Sequence, residues 1–131
     1  MTRTLTALTL AAATALAAPA FAGGSISFTY EAKNADEAQA IGIGLNMFAL
    51  VNDIQTNGHI TQNGAGNVAA LMQGGTGNLG IIHQDGDNHD ASLHQAGNDQ
   101  SCGIFQFGDG ASNHVTQTTD GAACLSFGAG F

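Results

Sequence analysis

Gln62-Asn-Gly-Ala-Gly-Asn-Val-Ala-Ala-Leu-Met-Gln73 (QNGAGNVAALMQ) begins and ends on glutamine, and Gln84, Gln95, Gln106 and Gln117 follow at the same eleven-residue interval. Between successive glutamines lie a four-residue linker and six further residues. The linkers are NGAG, GGTG, DGDN, AGND and FGDG. Their second residue is always glycine (Gly64, Gly75, Gly86, Gly97, Gly108), and their fourth is Gly, Asn or Asp. These are the residues that tolerate positive φ, so the spacing reads as seven residues of strand and four of tight turn.

Alternate residues of a strand face one side. Two residues before each glutamine stands an aliphatic column, Ile60, Leu71, Ile82, Leu93, Ile104 and Val115. Two further back the residues are small (Gly58, Ala69, Gly80, Ala91, Cys102), with Asn113 the exception. The glutamines share that face and therefore point inward beside the aliphatic row. Met72, His83, His94, Phe105 and Thr116 face outward and follow no rule, so the regular face is the expected core.

An eleven-residue period suits an antiparallel meander or a flattened solenoid with two strands per 22-residue coil. Cys102 and Cys124 lie 22 residues apart in one inward column. In a meander they would be separated by roughly 9–10 Å, beyond disulfide reach, whereas in a coil they are neighbours at about 4.8 Å. Phe105 and Phe127 repeat the same separation. The coil is the better reading: an all-β, two-sheet, strand-turn-strand solenoid of about three coils. Cys102–Cys124 is its candidate disulfide, closed within one chain or between stacked chains.

Stacked so, Gln62, Gln84 and Gln106 form one ladder and Gln73, Gln95 and Gln117 a second. A buried amide is costly unless its donors and acceptors are met, and identical amides in a stack meet one another's needs. The ladder also pins register, because a one-residue slip would turn every amide outward. Asn67 and Asn78 are expected to begin a shorter amide column, interrupted by His89, Gln100 and Ala111.

The region ahead of the repeats differs. Arg3, an apolar Leu5–Ala18 run and the small residues Ala20 and Ala22 read as a signal peptide spanning residues 1–22. A transmembrane helix fits less well, since the run is short and contains several Thr. Residues 23–54 form a strand-helix region: Ser25–Glu31 alternates like a strand, and Asn34 is an N-cap followed by Asp36 and Glu37. Ala38, Ile41, Leu45 and Phe48 recur at helical spacing, predicting a helix over about 35–52 and leaving open whether this region caps one solenoid end. Residues 55–131 hold the repeats.

Composition narrows the function. Past residue 22 one basic residue, Lys33, stands against ten acids, which disfavours nucleic acid and anionic lipid as partners. One Tyr, no Trp and 19 Gly leave no conventional aromatic core, and only the strict period argues against disorder. An even cysteine count in an exported chain favours a disulfide over metal or catalysis. No two of the five histidines share a column, so a metal centre is not expected. Asp87 and Asp109 stack at turn position three but form too small an oxygen set for calcium. Paired carboxylates also suggest a glycoside hydrolase, yet nothing shapes a cleft. With Asp85, Asp90 and Asp99, these acids instead suit restraint of premature aggregation. No catalytic residue and no cofactor is expected.

Gln-x-Gly-x-Gly-Asn-x-Ala-x-x-x-Gln, intact in QNGAGNVAALMQ and kept in QGGTGNLGIIHQ except for Gly80, resembles the curlin repeat of bacterial curli fibres. The resemblance covers about residues 56–117. It implies a secreted functional-amyloid subunit of biofilm matrix and surface adhesion. It also implies self-association into fibres, a curli-type nucleator and a dedicated outer-membrane secretion pore. Later repeats depart from it: QDGDNHDASLHQ carries its Asn at Asn88, and the cysteine pair and strand-helix region are additional. Major subunit, nucleator and accessory role all remain open. The competing reading is a soluble, capped solenoid that binds a surface polysaccharide or a partner protein.

Overall fold

A computed structural model describes residues 24–51 and 57–131. The expected signal peptide lies outside the described residues. The elements are β1 (Ser25–Glu31), α1 (Ala35–Val51), β2 (Gly58–Asn63), β3 (Val68–Gly74), β4 (Leu79–Asp87), β5 (Asp90–Ala96), β6 (Ser101–Asp109), β7 (Ser112–Gln117) and β8 (Ala123–Gly130).

The even-numbered strands form one sheet with β1 added, in the order β1-β8-β6-β4-β2, and the odd-numbered strands β3-β5-β7 form the second. Strands from β2 to β8 alternate between the sheets, so each pair is one coil of a β-solenoid of about three turns. Pairing between coils is parallel and shifts by 22 residues: Gln62 opposes Gln84, Leu71 opposes Leu93, and Cys102 opposes Cys124. Cys102 and Cys124 are disulfide-bonded within the chain, with Cα atoms 4.6 Å apart.

The turns explain the spacing. Gly64, Gly75, Gly86, Gly97 and Gly108 all have positive φ, as do the fourth linker residues Gly66, Gly77, Asn88, Asp99 and Gly110. At Gly64 the requirement is double, since a Cβ there would also collide with the carbonyl oxygen of Gly86 in the next coil. Glycine therefore sets both the turn and the approach of one coil to the next.

The core lies between the sheets. Ile82, Ala91, Leu93, Cys102, Ile104, Val115 and Cys124 form one buried cluster, with Ala69 and Leu71 packed against it. A second cluster lies outside. Leu45 and Ala49 of α1, with Ile41 and Phe48 beside them, cover Leu79, Ile81, Phe105 and Leu125 on the outer face of the larger sheet. The outward column is therefore not uniformly exposed; under the helix Ile81 is fully buried. The helix also lies elsewhere than over a solenoid end: it packs along β6 and β8. Its four apolar positions make one stripe, and the large apolar surface it can cover is the sheet's outer face.

The element at the end is β1. It pairs antiparallel with β8, from Ser25 opposite Gly130 to Glu31 opposite Cys124, in a sheet otherwise parallel. The junction to α1 is tightly tied. Glu37 N–H donates to Asn34 Oδ1 at 2.9 Å, while Glu37 Oε2 accepts from Lys33 N–H and from the Tyr30 hydroxyl. That is a capping arrangement with a tyrosine added. The Lys33 N–H, then the Tyr30 hydroxyl, hold the Glu37 carboxyl below its usual range. The same bond to Glu37 pushes the Tyr30 hydroxyl up.

Candidate functional site: the amide ladders and the two solenoid ends

Both glutamine ladders run in one direction. Gln62 Nε2 donates to Gln84 Oε1 at 2.9 Å, and Gln84 Nε2 to Gln106 Oε1 at 2.8 Å. In the other sheet Gln73 Nε2 donates to Gln95 Oε1 at 2.8 Å, and Gln95 Nε2 to Gln117 Oε1 at 2.9 Å. The second N–H of an interior rung goes to a backbone carbonyl sixteen residues earlier, Val68 O for Gln84 and Leu79 O for Gln95. Gln84, Gln95 and Gln106 are fully buried, and each has its donors met. Such amides stabilise the stack because no polar group is left without a partner.

Asn67 and Asn78 behave differently from the expected amide column. Eleven residues apart, they stand on opposite sides of the coil and bind backbone. Asn67 Nδ2 donates to Asn63 O and Gly86 O, and its Oδ1 accepts the His89 N–H. Asn78 does the same with Gly74 O, Gly97 O and the Gln100 N–H. The column is a series of clips that join each turn to the next. His89 and Gln100 continue it: Ala111 N–H donates to His89 Nδ1, and Gln100 Nε2 donates to Ala96 O and Thr119 O. What the position requires is an acceptor for the backbone N–H of the coil beyond it, and imidazole supplies one as well as an amide does. Gln100 Oε1 alone lacks that donor, because Ala122 N–H turns back to Thr119 O.

The turn acids are also structural. Asp87 Oδ1 accepts the Ala65 N–H at 2.7 Å, Asp120 Oδ1 accepts the Asn98 N–H, and Asp109 Oδ1 accepts from Asn88 Nδ2. Each ties a turn to the coil before it. Among the described residues no group of three His, Cys, Asp or Glu side chains is placed to hold a metal ion.

The ladders end in two ways. At the β2–β3 end Ile60 is 39 % exposed, and Gln62 and Gln73 also face solvent. Neither Gln62 Oε1 nor Gln73 Oε1 accepts a bond within the described residues, whereas the corresponding oxygens deeper in the stack all do.

The other end is closed. The position above Gln106 is Gly128, where a Cβ would collide with Asn113 Oδ1. Gln106 Nε2 donates to that Asn113 Oδ1 at 2.9 Å, Asn113 Nδ2 donates to Ser126 Oγ at 2.8 Å, and Ser126 Oγ meets Thr29 Oγ1 at 2.7 Å. The ladder is thus handed across the core to β1. Outside, Phe105, Phe127 and Phe28 stack with centroids 5.5 and 5.4 Å apart, carrying an aromatic column onto β1 as well. Val115 and Gln117, in the same columns as Ile60 and Gln62, are 6 % and 5 % exposed. Asn113 stood out in the sequence as the break in the small column, and Ser126 breaks the aliphatic one. Their polar character was the signal that the stack ends here.

A groove of about 550 Å³ lies beside this end, lined by residues of the β1–α1 junction and by Thr116, Gln117 and the β7–β8 turn. No helix among the described residues is long and apolar enough to cross a membrane.

Stacked identical coils, two inward amide ladders and a pairing register of one full coil define a parallel β-solenoid repeat protein. The curlin associated repeat family matches over residues 69–97 and again over 75–108, which are coils of this solenoid. These coils are therefore curlin associated repeats. No curated protein and no solved structure matches it.

Proposed function

We propose that the chain is a secreted, curli-type amyloid subunit: a structural, non-catalytic building block of an extracellular fibre serving biofilm cohesion and surface adhesion. The observation that carries this reading is the open β2–β3 end. There the core column and both ladders stop at exposed Ile60, Gln62 and Gln73, and β2 and β3 are the outermost strands of their sheets among the described residues. An unblocked edge of this kind templates another strand, and a chain already built on a 22-residue register offers one of matching pattern. Residues 1–22 serve as the export signal. A curli-type secretion pore and nucleator are the partners that the family suggests.

Electron microscopy and Congo red binding of the chain from Gly23 test the proposal. Unbranched, dye-binding fibres with cross-β spacing are the expected result. Solutions that stay clear and monomeric for days at tens of micromolar, with fibre seeds present, would overturn it. That outcome would favour the second reading, a soluble solenoid that binds a surface polysaccharide or partner protein, for which the closed end formed by β1 is the supporting observation.

A further inference from the structure

From β2 to β8 the solenoid has seven strands, an odd number, and this decides how a second copy can continue it. The last full coil consists of β6 and β7, β8 begins a further one, and among the described residues no strand lies beyond β7 on the smaller sheet. The next vacant strand position therefore lies on the smaller sheet, beyond β7. A second copy placed without rotation would bring its β2 to the larger sheet and leave that position empty. Rotated by half a turn about the solenoid axis, it would set its β2 on β7 and its β3 on β8. Strand directions remain parallel, because the two strands of a coil run in opposite senses and the rotation exchanges them.

The columns of β7 then continue, whereas on β8 Leu71 of the incoming copy meets Ser126 and its Gln73 meets Gly128. Ile60 of the incoming copy meets Val115, Gly58 meets Asn113, and Ala69 meets Cys124. Gln62 meets Gln117, where the hydrogen bonding is complementary. Within the described residues Gln117 Nε2 donates only to Ser101 O, while the equivalent Gln95 Nε2 donates both to Leu79 O and to the next rung. Gln62 Oε1 accepts no bond within the described residues. A spare donor at one end thus faces a spare acceptor at the other, in the same direction as every rung between them.

β1 stands in the way. It holds the β8 edge that the incoming β3 needs and is anchored by the Thr29–Ser126–Asn113 chain, at an end where Val115 and Gln117 are buried. We infer that the β7–β8 edge is the docking surface for β2–β3 of a second copy turned by half a revolution. β1 is an internal plug on that surface and must leave β8 before a copy can add. It is made to be displaced: it is a single antiparallel edge strand, with Phe28 60 % exposed and Ile26 39 % exposed. The helix that follows has its own anchorage on the outer face and stays when β1 leaves. This inference rests on the fibre-forming reading above and adds polarity and a gate to it.

The test uses the full mature chain and its Phe28→Pro variant, which interrupts β1 by removing a backbone donor. Seeded growth is followed by thioflavin T, and the growing ends are identified by two-colour imaging. The wild-type chain is expected to extend slowly at its β7–β8 end, and the variant severalfold faster there. A synthetic peptide of residues 24–32 added to the variant is expected to restore slow growth. If Phe28→Pro fails to fold, Ser126→Ala, which removes the hydroxyl shared by Thr29 and Asn113, is expected to give the same acceleration. Docking register is read separately by co-assembling Gln62→Cys and Gln117→Cys chains, whose new thiols would lie about 4.8 Å apart along the stack.

Fibres that grow equally fast with and without an intact β1 would overturn the plug, and fibres in which the two cysteines do not cross-link would overturn the half-turn register. If neither chain makes fibres even when seeded, the proposed function itself fails, and with it this inference.

Discussion

At the β2–β3 end Ile60 is 39 % exposed and Gln62 lies open, whereas Val115 and Gln117, in the same two columns at the β7–β8 end, are 6 % and 5 % exposed. The repeat alone would make both ends open. What separates them is a seven-residue strand from outside the repeat and three polar or small substitutions inside it: Asn113, Ser126 and Gly128. A periodic chain presents the same hydrogen-bonding groups at every level, so it has no intrinsic stopping point. Stopping requires residues that break the period, and here they cluster at one end.

The largest contrast is expected in the aliphatic column. Ile104→Ala opens a cavity in a fully closed core and should cost about 2–5 kcal/mol. Ile60→Ala, at the open end, should cost well under half as much. Chemical denaturation of the two variants measures the difference, and equal losses would mean that the β2–β3 end is covered in solution.

Next comes the disulfide, which joins the third coil to the half-coil under β1. Cys102→Ser with Cys124→Ser releases a 22-residue crosslink and should cost about 3 kcal/mol. The loss should appear first as amide exchange in β8 and β1, with β2 and β3 unaffected.

The ladders distinguish the ends at smaller scale. Gln95→Ala removes the acceptor of one Gln73 N–H and the side-chain donor to buried Gln117 Oε1 and to Leu79 O, at about 1–3 kcal/mol. Gln62→Ala removes a terminal rung exposed to water and should cost a fraction of that. Thermal melts of the pair suffice, since similar shifts would show that the ladder does not depend on burial.

The smallest effect concerns the tie between β1 and α1. Glu37 has a depressed pKa in the folded chain, so its contribution is present above its unfolded value and is lost as pH falls through the lower folded one. Tyr30 has a raised pKa, so its contribution is present below its unfolded value and is lost as pH rises through the higher folded one. Both groups are only half-buried, and solvent keeps the effect small. Glu37→Gln should flatten the acid side of the pH dependence of β1 amide exchange and leave the core strands unchanged. An unchanged profile would show that the bond from Tyr30 does not restrain β1.

Most of the architecture was legible because the period is strict. Eleven-residue spacing, a positive-φ residue at two fixed turn positions and the two cysteines leave one stacking arrangement that satisfies all three. The ladders were legible for the same reason. The Asn67 and Asn78 columns differ from the amide stacking expected of them because a residue beside a tight turn finds backbone groups nearer than another amide. His89 then looked like an interruption although it serves as the same kind of acceptor.

The helix was readable as an element but not as to its position. Its apolar stripe says that it covers something, and both an end and an outer face offer apolar surface.

By itself, then, the sequence determined the coil, its register and which side chains point inward, because these follow from local φ preferences and from a period that every level repeats. Only the tertiary structure decided that the ends are unlike. Whether β1 lies against β8, and whether Asn113 and Ser126 relay the ladder to Thr29, depends on contacts between residues nearly a hundred positions apart. No periodicity encodes such contacts, since they arise where the repeat is broken and the chain folds back upon it.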